Sequence, residues 1–430
     1  MLEIIKKGKI RMKKSKYNYI VKKDETHPAL LFNTKTYALV ELEDDIYDAY
    51  KNEILSQEQC KQLSDFGFFV PDNVDEIEQI EMDWINRFDS IEELTLTTMV
   101  TDACNFRCPY CYQPHITAQM TEAEIEKLCK CIHKYGKQNK KINLRWFGGE
   151  PLLNTNPIFK VEEAIKKENI QGYSNITTNG YLLTDELLER LLKETRIRTL
   201  QITLDGTEEQ HNSTRKLISG KPTYKRICAN IKKAIEKEFF VIIRINLNKN
   251  NQFIEPFLDG IEKMNIERGK YVIHVNNAHE FDTSEKINGF YFDTAYEYGN
   301  AYDKVQNSFI KYGYKFPRNY TKKCGCAFEM PNTFLVDCDL KLYFCTSSEK
   351  DDFFCQGYIN DEGEICTNEN YLKRRNLSVF HDDECKNCIF LPMCMGGCNY
   401  CRMKSEKYCI PEKYFFDDFV KKLYCEAKQE

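Results

Sequence analysis

The sequence predicts an α/β fold built on a partial (β/α)6 barrel, with a small α+β module before it and a cysteine-rich domain after it. Between residues 94 and 279, strand-like segments alternate with amphipathic helical segments. Such repeats build parallel sheets, and six of them suit a partial barrel better than a flat, doubly wound sheet. Thirteen of the 20 cysteines lie between Cys324 and Cys425. We therefore expect three domains, at residues 1–90, 91–315 and 316–430.

The amino-terminal module is predicted from short alternating segments that precede the barrel. Residues 17–21, 29–33 and 37–42 alternate as half-buried strands do, and residues 54–70 indicate a helix that runs into another strand. The charged stretch at residues 72–89 is typical of a helical linker. A small strand-plus-helix module therefore leads into the barrel.

Six segments of the barrel are predicted as strands, and amphipathic stretches such as residues 121–137, 185–195 and 224–238 are predicted as helices between them. In either a barrel or an open parallel sheet, the active site lies at the carboxyl ends of the strands. The predicted strands are residues 95–100, 142–147, 173–178, 200–205, 240–246 and 271–276.

Composition and charge exclude several classes of function. The formal net charge is −5, and Lys and Arg are dispersed rather than gathered in a stripe, so we expect no nucleic-acid partner. No apolar run reaches the roughly 18 residues of a membrane-spanning helix, and the first residues lack the pattern of a signal peptide. We expect a cytoplasmic protein without a membrane partner, in which clustered thiols more often bind metal than form disulfides.

A cysteine loop follows the first predicted strand of the barrel. Cys104, Cys108 and Cys111 form a C-x3-C-x2-C motif with Tyr110 before the last cysteine. Three thiolates on one short loop can hold three irons of a 4Fe–4S cluster and leave the fourth iron open to a chelating ligand. Half of a zinc site, or coincidence, are the alternative interpretations.

This loop resembles the signature of the radical S-adenosylmethionine (SAM) superfamily. The resemblance implies that SAM chelates the open iron through its amino and carboxylate groups and is cleaved reductively. The 5'-deoxyadenosyl radical then abstracts a hydrogen atom from the substrate, so Cys104, Cys108 and Cys111 would be the catalytic residues. The cofactors carry the difficult chemistry, while the protein supplies position and shielding.

Further residues match the family's SAM-binding positions. The resemblance implies that the glycines of the Gly-Gly-Glu-Pro motif bring backbone close to SAM and that the glutamate accepts from its ammonium. Two residues after the third strand would lie near the ribose, and an arginine would pair with the carboxylate. Each of these could instead be an ordinary turn or a surface ion pair. The implied SAM contacts are Tyr110, Gly148, Gly149, Glu150, Thr178, Asn179 and Arg215.

The carboxy-terminal cysteines resemble a SPASM domain, the auxiliary-cluster module of radical SAM enzymes that modify peptides and proteins. The resemblance assigns Cys385, Cys388, Cys394 and Cys409 to an outer 4Fe–4S cluster. It assigns Cys326, Cys345 and Cys398 to an inner cluster, whose fourth ligand is open or is one of Cys324, Cys338 and Cys355. A glycine of the family pattern is replaced by Leu340. A zinc ribbon is the alternative for the C-x2-C pair.

The amino-terminal module resembles the small winged-helix-like domain with which maturases of ribosomally made peptides grip a leader. An exposed strand edge can capture an extended peptide in this way, although a merely structural extension is the alternative. We therefore expect a peptide maturase that forms a crosslink, with a thioether as first choice and a carbon–carbon bond as second. Its partners would be a precursor peptide and a reductant such as flavodoxin or ferredoxin.

Two competing functions remain open from the sequence. Anaerobic sulfatase-maturing enzymes, the other well-known SPASM group, have an aspartate after the cysteine matched by Cys345, whereas this chain has Thr346. Threonine cannot act as a base at neutral pH, so formylglycine formation by that route, or another side-chain oxidation, is the second choice. A metal-binding scaffold without catalysis is the non-enzymatic alternative.

Overall fold

The computed structural model describes most of the chain as two compact units, each treated by itself below. The core unit comprises residues 92–318 and 330–375, and the terminal unit comprises residues 11–89 and 379–428. This division groups the chain differently from the three predicted segments, whose boundaries stay a prediction. Within these units the structure describes residues 11–89, 92–113, 116–138, 140–281, 284–318, 330–348, 350–375, 379–404 and 407–428.

The terminal unit begins with five short strands and three helices. Strands β2, β3 and β4 form an antiparallel sheet, while β1 pairs with β5. Ala29 and Leu31 of β3, both buried, pack with Tyr50 and Phe68 into one core. The elements are β1 Met12–Lys14, β2 Asn18–Val21, β3 Ala29–Asn33, β4 Leu39–Leu42, α1 Asp44–Lys51, α2 Gln57–Ser64, β5 Phe69–Pro71 and α3 Glu76–Asp89.

The core unit contains a sheet of ten described strands, of which the first six in chain order are parallel. Each strand lies beside its predecessor and successor, so the strand order never reverses. A doubly wound sheet reverses at its switch point, and this chain does not, which confirms the predicted barrel-type winding. The six strands are β6 Glu93–Met99, β7 Lys141–Phe147, β8 Ser174–Thr178, β9 Ile197–Thr203, β10 Phe240–Leu247 and β11 Tyr271–Asn277.

Helices connect these strands, and threonine side chains start several of them. Thr121 and Thr207 each form a capping box, and Thr184 and Thr294 accept from the third helical residue. Such caps satisfy backbone N–H groups that a helix start leaves free. The helices are α4 Glu122–Lys137, α5 Asn156–Lys167, α6 Asp185–Glu194, α7 Glu208–Thr214, α8 Tyr224–Glu236, α9 Glu255–Lys263 and α10 Ala295–Lys311.

The two faces of the six parallel strands differ in polarity. One face packs apolar side chains such as Leu144, Ile202 and Ile243, all fully buried, against the helices. The opposite face, here called the inner face, carries polar side chains at the alternate positions, because successive residues of a strand point to opposite sides. The inner face includes Thr97, Asn175, Gln201, Arg244 and His274.

Four further strands extend the sheet beyond β6. Strand β12 (Thr333–Val336) pairs in parallel with β6, and β13 (Lys341–Tyr343), β14 (Cys355–Ile359) and β15 (Ile365–Thr367) continue antiparallel, before helix α11 (Glu369–Arg375). The turn between β12 and β13 places Leu340 in the left-handed region, with φ of 61°. Asp337 stabilises this turn by accepting from the backbone N–H of Lys341 at 2.8 Å. The turn therefore forms without the glycine of the family pattern.

The terminal unit ends with the helices α12 (Asp383–Lys386), α13 (Leu391–Cys394), α14 (Asn399–Met403) and α15 (Phe416–Ala427). Helix α15 packs against the β2–β3–β4 sheet, where Phe416 makes edge-on ring contacts with Tyr19 and Phe32. Tyr424 donates to Glu41 of β4 at 2.9 Å. The amino-terminal module and the last helix therefore share one core. In the described ranges, no helix combines the length and the apolar character needed to cross a bilayer.

Candidate active site at the carboxyl ends of the strands

The loop that carries Cys104, Cys108 and Cys111 follows β6 and lies against the loop that follows β7. Gly149 N–H donates to Thr101 O at 2.9 Å, and Glu150 N–H donates to Ala103 O at 2.8 Å. Two backbone hydrogen bonds thus fix the start of the cysteine loop. The carboxyl ends of adjacent parallel strands meet at one edge, which brings the two motifs together as predicted.

The two glycines allow this close approach between backbones. A Cβ at Gly149 would stand 2.4 Å from Ala103 O and 2.5 Å from Asp102 O, and one at Gly148 would stand 2.3 Å from Thr101 O. Gly148 also has φ of +141°, which side chains rarely adopt. We predicted that these glycines admit a cofactor; the geometry adds that they admit the cysteine loop itself.

The segment after α7 holds the other side of the cysteine loop. Arg107 N–H donates to Lys216 O at 3.1 Å, and Ile218 N–H donates to Asn105 O at 3.0 Å. Burial raises the pKa of Cys104 to about 11 and that of Cys108 to about 12. A bound metal reverses this effect, because coordinated thiols are deprotonated. Backbone hydrogen bonds on both sides therefore hold the loop in place with its thiols half-buried, an arrangement that suits metal binding.

Glu150 is fully buried and joins three loops of the site. Its carboxylate accepts from Thr178 Oγ1 at 2.6 Å, Asn179 N at 2.7 Å and Leu152 N at 3.1 Å. Burial raises its pKa, and these hydrogen bonds act in the opposite direction. Asn179 Nδ2 in turn donates to Asn105 Oδ1 of the cysteine loop at 2.7 Å. The predicted residues Glu150, Thr178 and Asn179 thus form one connected cluster.

A second cluster links Tyr110 of the cysteine loop to the ends of β9 and β10. Tyr110 donates to the Asp205 carboxylate, Arg215 Nη1 donates to Tyr110 Oη at 2.8 Å, and Asn246 Nδ2 donates to it at 3.4 Å. Asp205 also accepts from Asn246 N at 2.7 Å. Burial raises the pKa of Tyr110 well above its usual value, so the phenol stays protonated. Tyr110 and Arg215, both predicted to contact SAM, therefore contact each other, and they are joined by Asp205 and Asn246, which were not among the predicted site residues.

Arg215 keeps one donor free for a ligand. The residue is only 8% exposed, and its buried Nε donor has no hydrogen-bond partner among the residues that the structure describes. A buried unsatisfied donor is costly, so such an atom is usually explained by a ligand or water. A carboxylate would satisfy it, and the methionine portion of SAM carries one. The donor set around Cys104, Cys108, Tyr110 and Arg215 therefore fits SAM and an iron–sulfur cluster.

His211 of α7 supports this cluster and was missed by sequence reasoning. Its Nδ1 accepts from Asp205 N at 3.2 Å, and its Nε2 faces Thr223 Oγ1 at 3.0 Å. Thr223 Oγ1 donates to Arg215 O at 2.6 Å. Burial lowers the pKa of His211 well below its usual value, so the ring stays neutral with its proton on Nε2. Only the helical spacing of four residues between His211 and Arg215 could have signalled this link.

The terminal unit brings four of the predicted auxiliary ligands together. Burial, together with the charges of Cys409, Cys385 and Cys388, raises the pKa of Cys394 to about 12. Charges couple in this way only between close neighbours. Lys413 Nζ donates to Cys409 Sγ at 3.6 Å, which adds a cation beside the four thiols.

The chain then turns sharply towards Cys398, which caps α14. Met395, Gly396 and Gly397 all have positive φ. A Cβ at Gly397 would stand 1.8 Å from Tyr408 O, so glycine is required where this turn passes beside Cys409. The turn keeps the segments before Cys398 and Cys409 side by side.

The predicted inner ligands are placed less completely. Cys324 and Cys326 lie outside the described residues. Cys345 N–H donates to Ser348 Oγ at 2.9 Å. Cys338 is buried, with its thiol 3.6 Å from Met99 O, and Cys355 packs beside Met99 and Tyr343. Among the described residues, no group of three Cys, His, Asp or Glu side chains is arranged around a single metal ion; cysteines of a 4Fe–4S cluster each bind a different iron.

Comparison with known proteins agrees with this geometry. Radical SAM cyclopropyl synthase TigE of Paramaledivibacter caminithermalis is 24% identical over 439 residues, which cover 89% of each chain. The cysteine-type anaerobic sulfatase-maturating enzyme of Clostridium perfringens is 24% identical and covers 74% of this chain and 93% of its own.

Solved structures share the fold. Native anSMEcpe with bound AdoMet matches with a TM-score of 0.63 at 18% identity, over 78% of this chain and 99% of that one. Streptococcus suis SuiB bound to precursor peptide SuiA matches with a TM-score of 0.56 at 15% identity, over 94% and 98%. The family model of the radical SAM superfamily, whose members use SAM and a 4Fe–4S cluster, matches residues 98–252. Residues 98–252 thus match a radical SAM domain, and over most of its length the chain is similar to enzymes such as TigE.

Proposed function

We propose that this enzyme is a peptide maturase that removes a hydrogen atom from a residue of a ribosomally made precursor and closes a bond within that peptide. The observation that carries the proposal is the pairing of a radical SAM site with a separate thiol cluster at Cys385, Cys388, Cys394 and Cys409. The TigE and SuiB likenesses, each spanning about nine-tenths of the chain, support a peptide as substrate.

Different residues of the site would hold the two cofactors. Cys104, Cys108 and Cys111 would hold the catalytic cluster, and Arg215, with its free Nε donor, would pair with the SAM carboxylate. When bound, the two cofactors supply an electron and a 5'-deoxyadenosyl radical. Glu150 keeps the loops of Thr178 and Asn179 against the cysteine loop, which fixes the space left for SAM.

The three-stranded sheet of the terminal unit is the proposed leader-binding element. Strands β2 and β4 are the outer strands of that sheet. An outer strand offers unpaired backbone groups, to which an extended peptide can add as a further strand. Helix α15 covers a face of the sheet through Phe416 rather than pairing with an outer strand. Peptide addition at an edge is therefore compatible with the packing.

The bond formed is the finer part of the proposal. TigE is a cyclopropyl synthase, which favours a carbon–carbon ring closure, while the thioether that the sequence suggested as first choice stays a prediction. The similarity to sulfatase-maturating enzymes supports side-chain oxidation as a second candidate. Thr346, in a short 3-10 helix after Cys345, offers no carboxylate to act as a base there.

Anaerobic reconstitution tests the proposal. Iron and sulfide are added to the full chain, iron per chain is counted, and SAM with dithionite is followed by chromatography. We expect about twelve irons, four for each cluster, and formation of 5'-deoxyadenosine. Cys104→Ala should remove about four irons and all SAM cleavage.

Two further variants separate the clusters. Cys385→Ala should remove about four irons and keep SAM cleavage, because the auxiliary cluster is a different site. Cys129→Ala, a change of a half-buried cysteine on α4, is the matched control and should alter neither quantity. Bound zinc with intact SAM would overturn the proposal in favour of a metal-binding scaffold. Twelve irons with SAM cleavage, but no mass change in any precursor peptide encoded beside the gene, would exclude the maturase.

A further inference from the structure

Arg244 projects from the inner face near the carboxyl end of β10. Its neighbours Ile243 and Ile245 are fully buried on the helix side, so the arginine points the other way. The Arg244 side chain is half-buried. Within the described part of the chain, no carboxylate forms an ion pair with it.

Two side chains hold the guanidinium in place. Arg244 Nε donates to Asn246 Oδ1 at 3.0 Å. With the Asn276 amide oriented so that both of its polar atoms have partners, Arg244 Nη2 donates to the Asn276 amide oxygen at 3.2 Å. The Asn276 amide nitrogen then donates to His274 Nε2 at 3.3 Å. Desolvation by the neighbouring protein and the charge of Arg244 lower the pKa of His274 to about 4, so the ring is neutral and can accept. Part of the His274 side chain stays open to solvent on the inner face.

This arrangement continues directly into the SAM-binding cluster. Asn246 contacts Arg244 through its amide oxygen and Tyr110 Oη, 3.4 Å away, through its amide nitrogen. Tyr110 is the residue before Cys111 of the cysteine loop. Arg244 is therefore one side chain removed from the site at which the radical would form, on the side that faces the open sheet.

Arg145 and Arg244 both lie on the inner face without a carboxylate partner among the described residues, and Arg145 Nη2 donates to Tyr173 Oη at 3.2 Å. At the carboxyl ends of the strands, the Asp205 carboxylate already bonds Tyr110 and Asn246 and pairs with Arg215. Glu93, at the opposite end of the sheet, pairs with Lys141. Arg244 is a half-buried cation whose Nη1 has no protein acceptor among the described residues, and such a group is a site for an anion.

We propose that Arg244, positioned by Asn246 and Asn276, binds a carboxylate of the peptide substrate next to the residue that loses its hydrogen atom. The inference rests on the proposed peptide-modifying function and deepens it by naming a chemical feature of the substrate. The SAM carboxylate is already provided for by Arg215, whose Nε donor is free. The carboxylate could belong to an aspartate or glutamate side chain or to the carboxyl terminus of the peptide.

Equilibrium dialysis with the reconstituted enzyme and saturating SAM tests this without requiring turnover. The probes are radiolabelled acetyl-Gly-Glu-Gly-amide, its Gln counterpart, and acetyl-triglycine with a free carboxyl terminus. We expect one of the two carboxylate peptides to bind roughly tenfold more tightly than the Gln peptide, the size of one charge-assisted hydrogen bond. The peptide that is preferred identifies the source of the carboxylate.

Variants tie the preference to Arg244. Arg244→Gln should abolish the preference, and Arg244→Lys should retain part of it. Arg198→Gln, whose guanidinium is already taken by the carbonyls of Leu192, Thr195 and Ile197, is the matched control and should keep the preference. Equal affinities for all three peptides, or a preference that survives Arg244→Gln, would overturn the inference. SAM cleavage is measured in the same samples. It shows whether the enzyme still cleaves SAM when it has no preference for a carboxylate peptide.

Discussion

Replacing Glu150 by Gln is the sharpest single test of how the site is built. The Glu150 carboxylate is fully buried and accepts from Thr178 Oγ1, Asn179 N and Leu152 N. Glutamine has nearly the same shape but replaces one acceptor oxygen by a donor. In either orientation of the amide, its NH2 group faces at least one of these donors, so at least one hydrogen bond is lost and one backbone or hydroxyl donor stays unsatisfied.

The magnitude follows from the number of bonds changed. A hydrogen bond to a charged group contributes about 1.5–3 kcal/mol, and a buried donor without a partner costs a similar amount. Relief from burying the charge offsets part of this, since burial already raises the pKa of Glu150. We expect the free energy of unfolding to fall by about 2 kcal/mol and the rate of SAM cleavage to fall at least roughly tenfold, because an error in cofactor position is costly.

Urea unfolding and anaerobic SAM cleavage measure the two effects separately. Glu162→Gln is the matched control: Glu162 is equally buried and accepts from Trp146 and, at the amino ends of β8 and β9, from Ser174 and Arg196. It should lose at least as much stability, yet its SAM cleavage per folded enzyme should stay unchanged. If Glu150→Gln cleaved SAM at the wild-type rate, the carboxylate would only stabilise the fold and would not influence the position of the cofactor.

Three further substitutions test other parts of the fold. Leu340→Gly should lower the free energy of unfolding by about 2 kcal/mol, measured in urea, because loss of the buried Leu340 side chain outweighs relief of the left-handed conformation at φ of 61°. Lys350→Met should lower it by about 3 kcal/mol, because Asp102 and Asp337 would lose the cation that lies 3.4 Å and 3.1 Å from them. Gly397→Ala should lower the iron content by about four per chain in a colorimetric assay while SAM cleavage persists, because its Cβ would meet Tyr408 O; retention of all the iron would contradict this.

The winding of the core could be predicted because its signals are local. Each of the six parallel strands overlaps its predicted segment, and β8, β10 and β11 alternate buried with more exposed positions. The strands that extend the sheet beyond β6 were not predicted, because β12 pairs with a strand more than two hundred residues earlier in the chain. The hydrophobic periodicity of a sequence does not show which distant strands pair. The sharing of one core by α15 and the β2–β3–β4 sheet was hidden for the same reason.

The side chains of the candidate site were also only partly predictable, because many of their contacts join residues that are distant in the sequence. Motifs located Cys104, Glu150 and Arg215, since short spacing and turn chemistry mark them. Asp205, His211 and Asn246 were not singled out, because each is an ordinary residue until the fold brings it against Tyr110 or Arg215. Sequence reasoning therefore identified the chemical groups but not the residues that hold them in place.

The contrast between the two sides of the site bears on how a radical enzyme controls its substrate. On the cofactor side, Glu150 and Asp205 are saturated with hydrogen bonds that tie four loops together. On the inner face, Arg244 and His274 remain accessible. Preorganised groups avoid a reorganisation cost at the moment of reaction, whereas accessible groups can exchange water for a substrate. The hydrogen-bonded residues on the cofactor side therefore fix the position of the cofactors, and the accessible residues of the inner face select the peptide. A single substitution at Arg244 should change which peptide binds and leave the protein folded.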